Sequence, residues 1–153
     1  MVLWNGLSSG LSKFVMAEIV LCLDVGTKRI GVAKSDALGI AAHAFPMIER
    51  KSDDYAVKAV LDMIREEGVQ RIVVGLPINM NDTMGPAAEM AKTFAALIQK
   101  EVTIPVEFWD ERLSTAEAER FLIDVDMSRA KRKTKIDSLA AQIILKSYMD
   151  AKK

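Results

Sequence analysis

Acidic side chains stand at three places where they could do chemistry. Asp24 closes the apolar run EIVLCLDV, from Glu18 to Val25. Asp110 and Glu111 follow a second apolar run that ends in Trp109, and Asp137 opens a C-terminal amphipathic segment beside the small residues Ser138, Ala140 and Ala141. A carboxylate at the end of a strand that looks buried on both faces is costly unless it is hydrogen-bonded, paired or metal-bound. Each acid also has a plain explanation: Asp24 can cap the Gly26-Thr27 turn, Asp110 and Glu111 can lie in a solvated turn beside Arg112, and Thr134-x-x-Asp137 can form a capping box. It is the set that points to chemistry. Carboxylates meeting at one end of a sheet repel unless a cation neutralises them. Two Mg²⁺ or Mn²⁺ ions roughly 4 Å apart would do so, while activating a water for phosphodiester hydrolysis. The carboxyl ends of strands are also where α/β sheets commonly bind ligands.

Basic residues flank these acids. Lys28 and Arg29 follow the Asp24 turn, and Arg129, Lys131, Arg132, Lys133 and Lys135 immediately precede the Asp137 helix, where a basic loop could close over a phosphate backbone. Arg112 and Asn79 are further candidates for substrate contact. Lys plus Arg and Asp plus Glu both total 21, so there is no global basic field and any nucleic acid must be met by a local patch. The single Cys22 excludes an intrachain disulfide and a multi-cysteine zinc site, and the single His43 argues against a histidine-rich centre; both read as packing residues. A metal would therefore take oxygen ligands.

The elements that must position these groups follow from periodicity. Residues Glu18 to Val25 read as a central strand, Arg29 to Ala33 as an antiparallel second, and Ala41 to Glu49 as a third that Pro46 assigns to an edge. Ser52 caps a helix with Val57, Val60, Leu61 and Ile64 on one face, ended by Gly68. A strand at Gln70 to Gly75 leads through a polar loop to a helix from Pro86, with Met90, Phe94, Leu97 and Ile98 as its buried stripe. A strand over Ile104 to Trp109 precedes a helix capped by Ser114 and Glu117. A polar, basic loop spans Met127 to Lys133, and a last helix runs from Thr134 to Met149. The sum is an α/β domain: a mixed five-stranded sheet flanked by helices, over residues 18–153. Residues 1–17 read as an N-terminal extension, with Met16 as an alternative start. They lack the features of a signal or membrane segment, which leaves the cytoplasm as the expected location.

Four blocks carry a family resemblance: Leu23-Asp24-Val25-Gly26-Thr27-Lys28-Arg29-Ile30-Gly31-Val32-Ala33, Val74-Gly75-Leu76-Pro77, Asp110-Glu111-Arg112-Leu113-Ser114-Thr115 and Lys135-Ile136-Asp137-Ser138-Leu139-Ala140-Ala141. In order and spacing they resemble the YqgF family of bacterial RNase H-like nucleases, which are related to Holliday-junction resolvases. The resemblance covers roughly residues 18 to 150. It implies an RNase H-like (resolvase-type) fold, with catalytic and metal-binding acids at Asp24, within the Asp110-Glu111 pair, and at Asp137. Within the pair it favours Glu111, since resolvase relatives place a glutamate there. Strand alternation puts Asp110 on the face of Val106 and Phe108 and does not decide between them. The sequence departs from the family at Lys34 and at Asn81-Asp82-Thr83, which lacks an expected glycine.

The resemblance further implies a nucleic-acid substrate: precursor 16S rRNA matured at its 5′ end, or alternatively branched DNA. Oligomeric state stays open between a monomer and a weak homodimer, because a resolvase needs two sites and no dimer interface is evident. Two rivals come from other classes. One is an actin-like ATPase lobe, whose phosphate loop Asp24-x-Gly26-Thr27 resembles, although such enzymes use two lobes. The other is a non-catalytic RNA-binding module for ribosome assembly that keeps the fold without cutting.

Overall fold

A computed structural model describes residues 17–114 and 132–152, and the side chains of the second segment from Ser138 onward. At its centre is β1 (Val20–Val25), which is apolar on both faces because both are covered. β1 pairs antiparallel with β2 (Arg29–Ser35), and β2 pairs antiparallel with β3 (Ala42–Glu49). On its other side β1 runs parallel to β4 (Arg71–Leu76), and β4 runs parallel to β5 (Val106–Asp110). The order is β3-β2-β1-β4-β5. Pro46 lies on the edge strand, where the register shifts between the pairs Ile30↔Ile48 and Val32↔Phe45; two residues of β3 there oppose Gly31, so the missing N–H breaks no inner ladder.

One face of the sheet carries α1 (Asp53–Glu67) and α2 (Pro86–Gln99) over Leu21, Leu23, Ile30, Val32, Ile72 and Val74. Ser52 Oγ accepts from Tyr55 N (3.0 Å), and Gly68 ends α1 in the left-handed region at φ 66°, as capping chemistry requires. The buried stripe of α2 differs from expectation. Ala88, Ala91, Phe94, Ala95 and Ile98 are buried, while Met90 and Leu97 lie at its margins. Alanines let the helix sit close to the sheet, so Phe94 and Ile98 fill the core while Met90 and Leu97 fall at the rim.

The other face carries α3 (Arg132–Ala151), whose Ala141, Ile144, Leu145, Tyr148 and Met149 pack on Val20, Cys22, Ala33, Ala42 and Val73. The helix is pinned to β3 by two hydrogen bonds: Ser138 Oγ donates to the Phe45 carbonyl, and Gln142 Nε2 donates to the Ala42 carbonyl (2.8 Å). α3 starts earlier than expected. Arg132 and Lys133 are helical rather than part of a basic loop, and Thr134 lies inside the helix, so it is not the cap that a capping box with Asp137 would need. β5 likewise starts at Val106 and runs through Asp110, because Pro105 contributes only its carbonyl, to Ile72 N (2.9 Å). The expected helix after Ser114 and the loop at 127–131 lie outside the described residues.

Candidate active site

Two acids reach the α3 face at the carboxyl end of the sheet. On β1 that face carries Val20 and Cys22, so alternation brings Asp24 to it, half-buried and paired in register with Gly31. On β5 the same face carries Trp109, whose Nε1 donates to Ser147 Oγ (3.2 Å) and whose ring meets Tyr148 edge-on at 5.3 Å. Val106 belongs to the opposite core. The next position on the α3 face is 111, where the chain leaves the strand through a 3-10 turn, Glu111–Leu113. The Glu111 carboxylate folds back over β4. A Cβ placed on Gly75 would lie 2.9 Å from Glu111 Oε2 and 2.8 Å from Ile144 Cδ1, so the acid occupies room that only glycine leaves. Gly75 pairs with Trp109 on one side, and Val73, two residues earlier, pairs with Cys22 of β1 on the other. The carboxylate thus lies in the gap between β5 and the strand of Asp24.

The electrostatics agree with this placement. Burial, then the charges of Asp24 and Asp110, push the Glu111 carboxyl from 4.5 up to about 7. Burial also drives the Cys22 thiol well up, with Asp24 and Glu111 adding to it, so this cysteine stays protonated beneath the acids. The charge of Asp24 is thus felt at Glu111, and a cation between the two would relieve their repulsion. Their oxygen donors suit Mg²⁺ or Mn²⁺. Among the described residues no third carboxylate, His or Cys joins them to complete a metal-binding group, and the side chain of Asp137 lies outside those residues.

Asp110 is used differently. Its carboxylate caps the 3-10 turn by accepting from Arg112 N (2.9 Å) and accepts from Arg112 Nη2 (2.8 Å), and the Arg112 side chain beside it holds its pKa below the ordinary value. Arg112 Nη1 reaches the next loop as well, donating to Asp82 Oδ1 (2.7 Å) and the Asn79 carbonyl (3.2 Å). Asn79 gives its Nδ2 to Thr83 Oγ1 (3.0 Å). Arg112 and Asn79, expected to touch substrate, are thus engaged in building the loop beside the site.

The turn after Asp24 is tight. Gly26 N donates to the Arg29 carbonyl (2.9 Å), and a Cβ on Gly26 would lie 2.7 Å from that oxygen. Asp24, Gly26, Thr27, Lys28, Arg29 and Gly31 line a depression of about 260 Å³, with Lys28 and Arg29 exposed at its edge. Just after β3, Arg50 braces the turn: its Nη1 donates to the Gly26 carbonyl (2.9 Å) and its backbone N to the Lys28 carbonyl (2.8 Å).

Comparison with known proteins decides the family. The model described as "RuvX: Holliday junction resolvase" matches residues 18–151. The chain belongs to the RuvX family, also called YqgF. A relative from Geobacillus kaustophilus, named "Putative pre-16S rRNA nuclease", is 50% identical over 135 residues, covering 87% of this chain and 98% of its own. One of the same name from Caldanaerobacter subterraneus is 52% identical over 135 residues, covering 88% and 97%. Among solved structures, T. thermophilus RuvC in complex with a Holliday junction substrate superposes with a TM-score of 0.62 at 14% identity, covering 89% of this chain and 97% of that one. The fowlpox virus resolvase bound to Holliday junction DNA gives 0.54 at 12%, covering 87% and 97%. The fold is RNase H-like.

For this RuvX chain the structure thus brings Asp24 and Glu111 together, with Lys28 and Arg29 beside Asp24. Arg129 and Lys131 lie outside the described residues, and so do the side chains of Arg132, Lys133 and Lys135 on α3. Sequence reasoning passed over Gly75, Arg50 and the backbone role of Asp82. A lone glycine inside an apolar strand was the available signal for Gly75. Nothing local marks Arg50, whose partner lies across the hairpin. Asp82 takes φ 68°, the left-handed region that glycine favours, within the Asn81-Asp82-Thr83 stretch that lacks an expected glycine.

Proposed function

We propose that this RuvX chain is a metal-dependent nuclease that hydrolyses phosphodiester bonds, acting in the cytoplasm on the 5′ end of precursor 16S rRNA. The observation that carries this reading is the convergence of Asp24 and Glu111 on one face of the sheet end, with Gly75 leaving the room. Asp24, Glu111 and Asp137 would hold one or two Mg²⁺ or Mn²⁺ ions, and metal bound there would activate a water and stabilise the leaving oxygen. The protein's own work is positional. Gly75 and Ile144 aim Glu111, the Arg50-braced turn fixes Asp24, and Lys28 and Arg29 offer charge to the phosphate backbone, with the basic residues from Arg129 to Lys135 as further contacts. The names of the 50%-identical relatives support rRNA processing. The family description and the RuvC-like fold support junction cleavage as a second reading.

The test is incubation with a 5′-extended 16S precursor and, separately, a four-way DNA junction, each with Mg²⁺, Mn²⁺ or EDTA, alongside Asp24→Asn and Asp137→Asn. Metal-dependent trimming of the precursor, lost in both variants, is the expected result. Symmetric cutting of the junction alone would replace it with the resolvase reading. Binding of the precursor without cutting under any metal would leave an assembly factor.

A further inference from the structure

The loop between β4 and α2 lies at the same sheet end as the two acids and turns an apolar side chain to solvent. Met80 is 89% exposed, yet the turn that carries it is not slack. Asn79 N donates to the Thr83 carbonyl (3.0 Å) and Asp82 N to the Asn79 carbonyl (2.9 Å), while Ile78 bridges Met84. Side chains staple it again: Asn79 Nδ2 to Thr83 Oγ1 (3.0 Å), and Thr83 Oγ1 to Asn81 Oδ1 (2.6 Å). Arg112 then ties the loop at Asp82 and Asn79 to Asp110, the residue before Glu111. Met80 therefore sits on a backbone fixed relative to the site, so a contact it makes orders only its own side chain.

An exposed thioether gains nothing from phosphate oxygens. The face of a nucleobase is apolar and polarisable, and it is open only where the base is unstacked. The surroundings fit such a contact. Met84 is 44% exposed and Leu113, at the end of the clamped 3-10 turn, is 53% exposed, so two further apolar side chains face solvent at this sheet end. Lys92 Nζ lies 3.8 Å from Met84 Sδ and places a cation beside it for a flanking phosphate.

We propose that Met80 is a substrate-selecting residue, which packs on the face of an unstacked base near the cut phosphate and directs the enzyme to single strands and branch points over continuous duplex. This rests on the nuclease reading above. The test uses the full chain with Mg²⁺ and two substrates of one sequence, one with an unpaired 2-aminopurine at the cutting site and one fully paired. Base fluorescence on binding is read separately in an Asp24→Asn background. Met80→Ala, a change at an exposed position, is expected to raise KM on the unpaired substrate roughly tenfold, with kcat within about threefold and the duplex unaffected. It should also abolish the fluorescence change, and Met80→Leu should restore both. Unchanged KM and fluorescence in Met80→Ala would overturn the proposal and leave the side chain to a protein partner. If the wild type cuts neither substrate, the nuclease reading fails by itself, and the fluorescence arm alone decides whether Met80 meets a base.

Discussion

Glu111 is the side chain on which the site's energetics turn. Its folded pKa is raised above 4.5, so the folded chain binds its proton more tightly than the unfolded chain does. The stability this confers is fully present below about pH 4.5 and is lost as pH rises through about 7. Discounted for partial exposure, the loss amounts to about 1–3 kcal/mol. Metal-free protein should accordingly unfold at lower urea concentration at pH 8 than at pH 5, and Glu111→Gln should flatten that difference. Millimolar Mg²⁺ should recover stability in the wild type at pH 8 and not in the variant. Identical pH dependence in the two proteins would mean that Glu111 is not held against Asp24 as described. Its neighbour separates the two roles. On the proposed reading, Glu111→Gln is expected to lower cleavage by at least about a hundredfold with the fold intact, the usual cost of removing a group that stabilises the reacting centre. Asp110→Asn should loosen the Arg112 clamp and retain most of the activity, which parallel rate measurements would check.

At the scale of the elements, the site depends on one missing methyl group. Gly75→Ala puts a Cβ against both Glu111 Oε2 and Ile144 Cδ1, so one of them must move. Overpacking of this kind costs about 1–3 kcal/mol. Combining it with Ile144→Val should recover part of the stability but leave activity low, if Glu111 remains displaced; thermal melts and rates on the four proteins of this cycle would show it. Arg50→Ala removes the brace on the turn after Asp24 and is expected to lose about 1–3 kcal/mol, the value of a hydrogen bond from a charged donor. The order of elements was legible because β1, β4 and the capped α1 announce themselves by apolar runs and by Ser52 and Gly68. The choice between Asp110 and Glu111 was not. Alternation along β5 was read correctly, but nothing local reveals that Trp109, rather than Phe108, shares the face of Asp24. That fact belongs to the packing of Trp109 on Ser147 and Tyr148, residues far along the chain. Ends of elements were missed where a neighbour decides them, as at the start of β5, where Pro105 meets Ile72.

Over the whole molecule, opposite charges cancel, so affinity for a polyanion must come from a few placed cations. Replacing Lys28 and Arg29 together by glutamine should reduce the slope of log affinity against log salt by about one to two, measured by RNA binding over a salt series. A slope equal to the wild type's would remove the β1–β2 turn from the substrate path. The topology has a consequence in time as well as in space. β1, β2 and β3 are joined by short hairpins and need no distant partner, whereas Asp24 and Glu111 meet only after β4 has been laid between their strands and α3 has closed over Cys22 and Val73. Such non-local pairings are slow to form. A chain still emerging from the ribosome can therefore hold Asp24 in its hairpin before Glu111 has arrived, so the proposed centre is assembled late in synthesis, once β4 and β5 have joined the sheet.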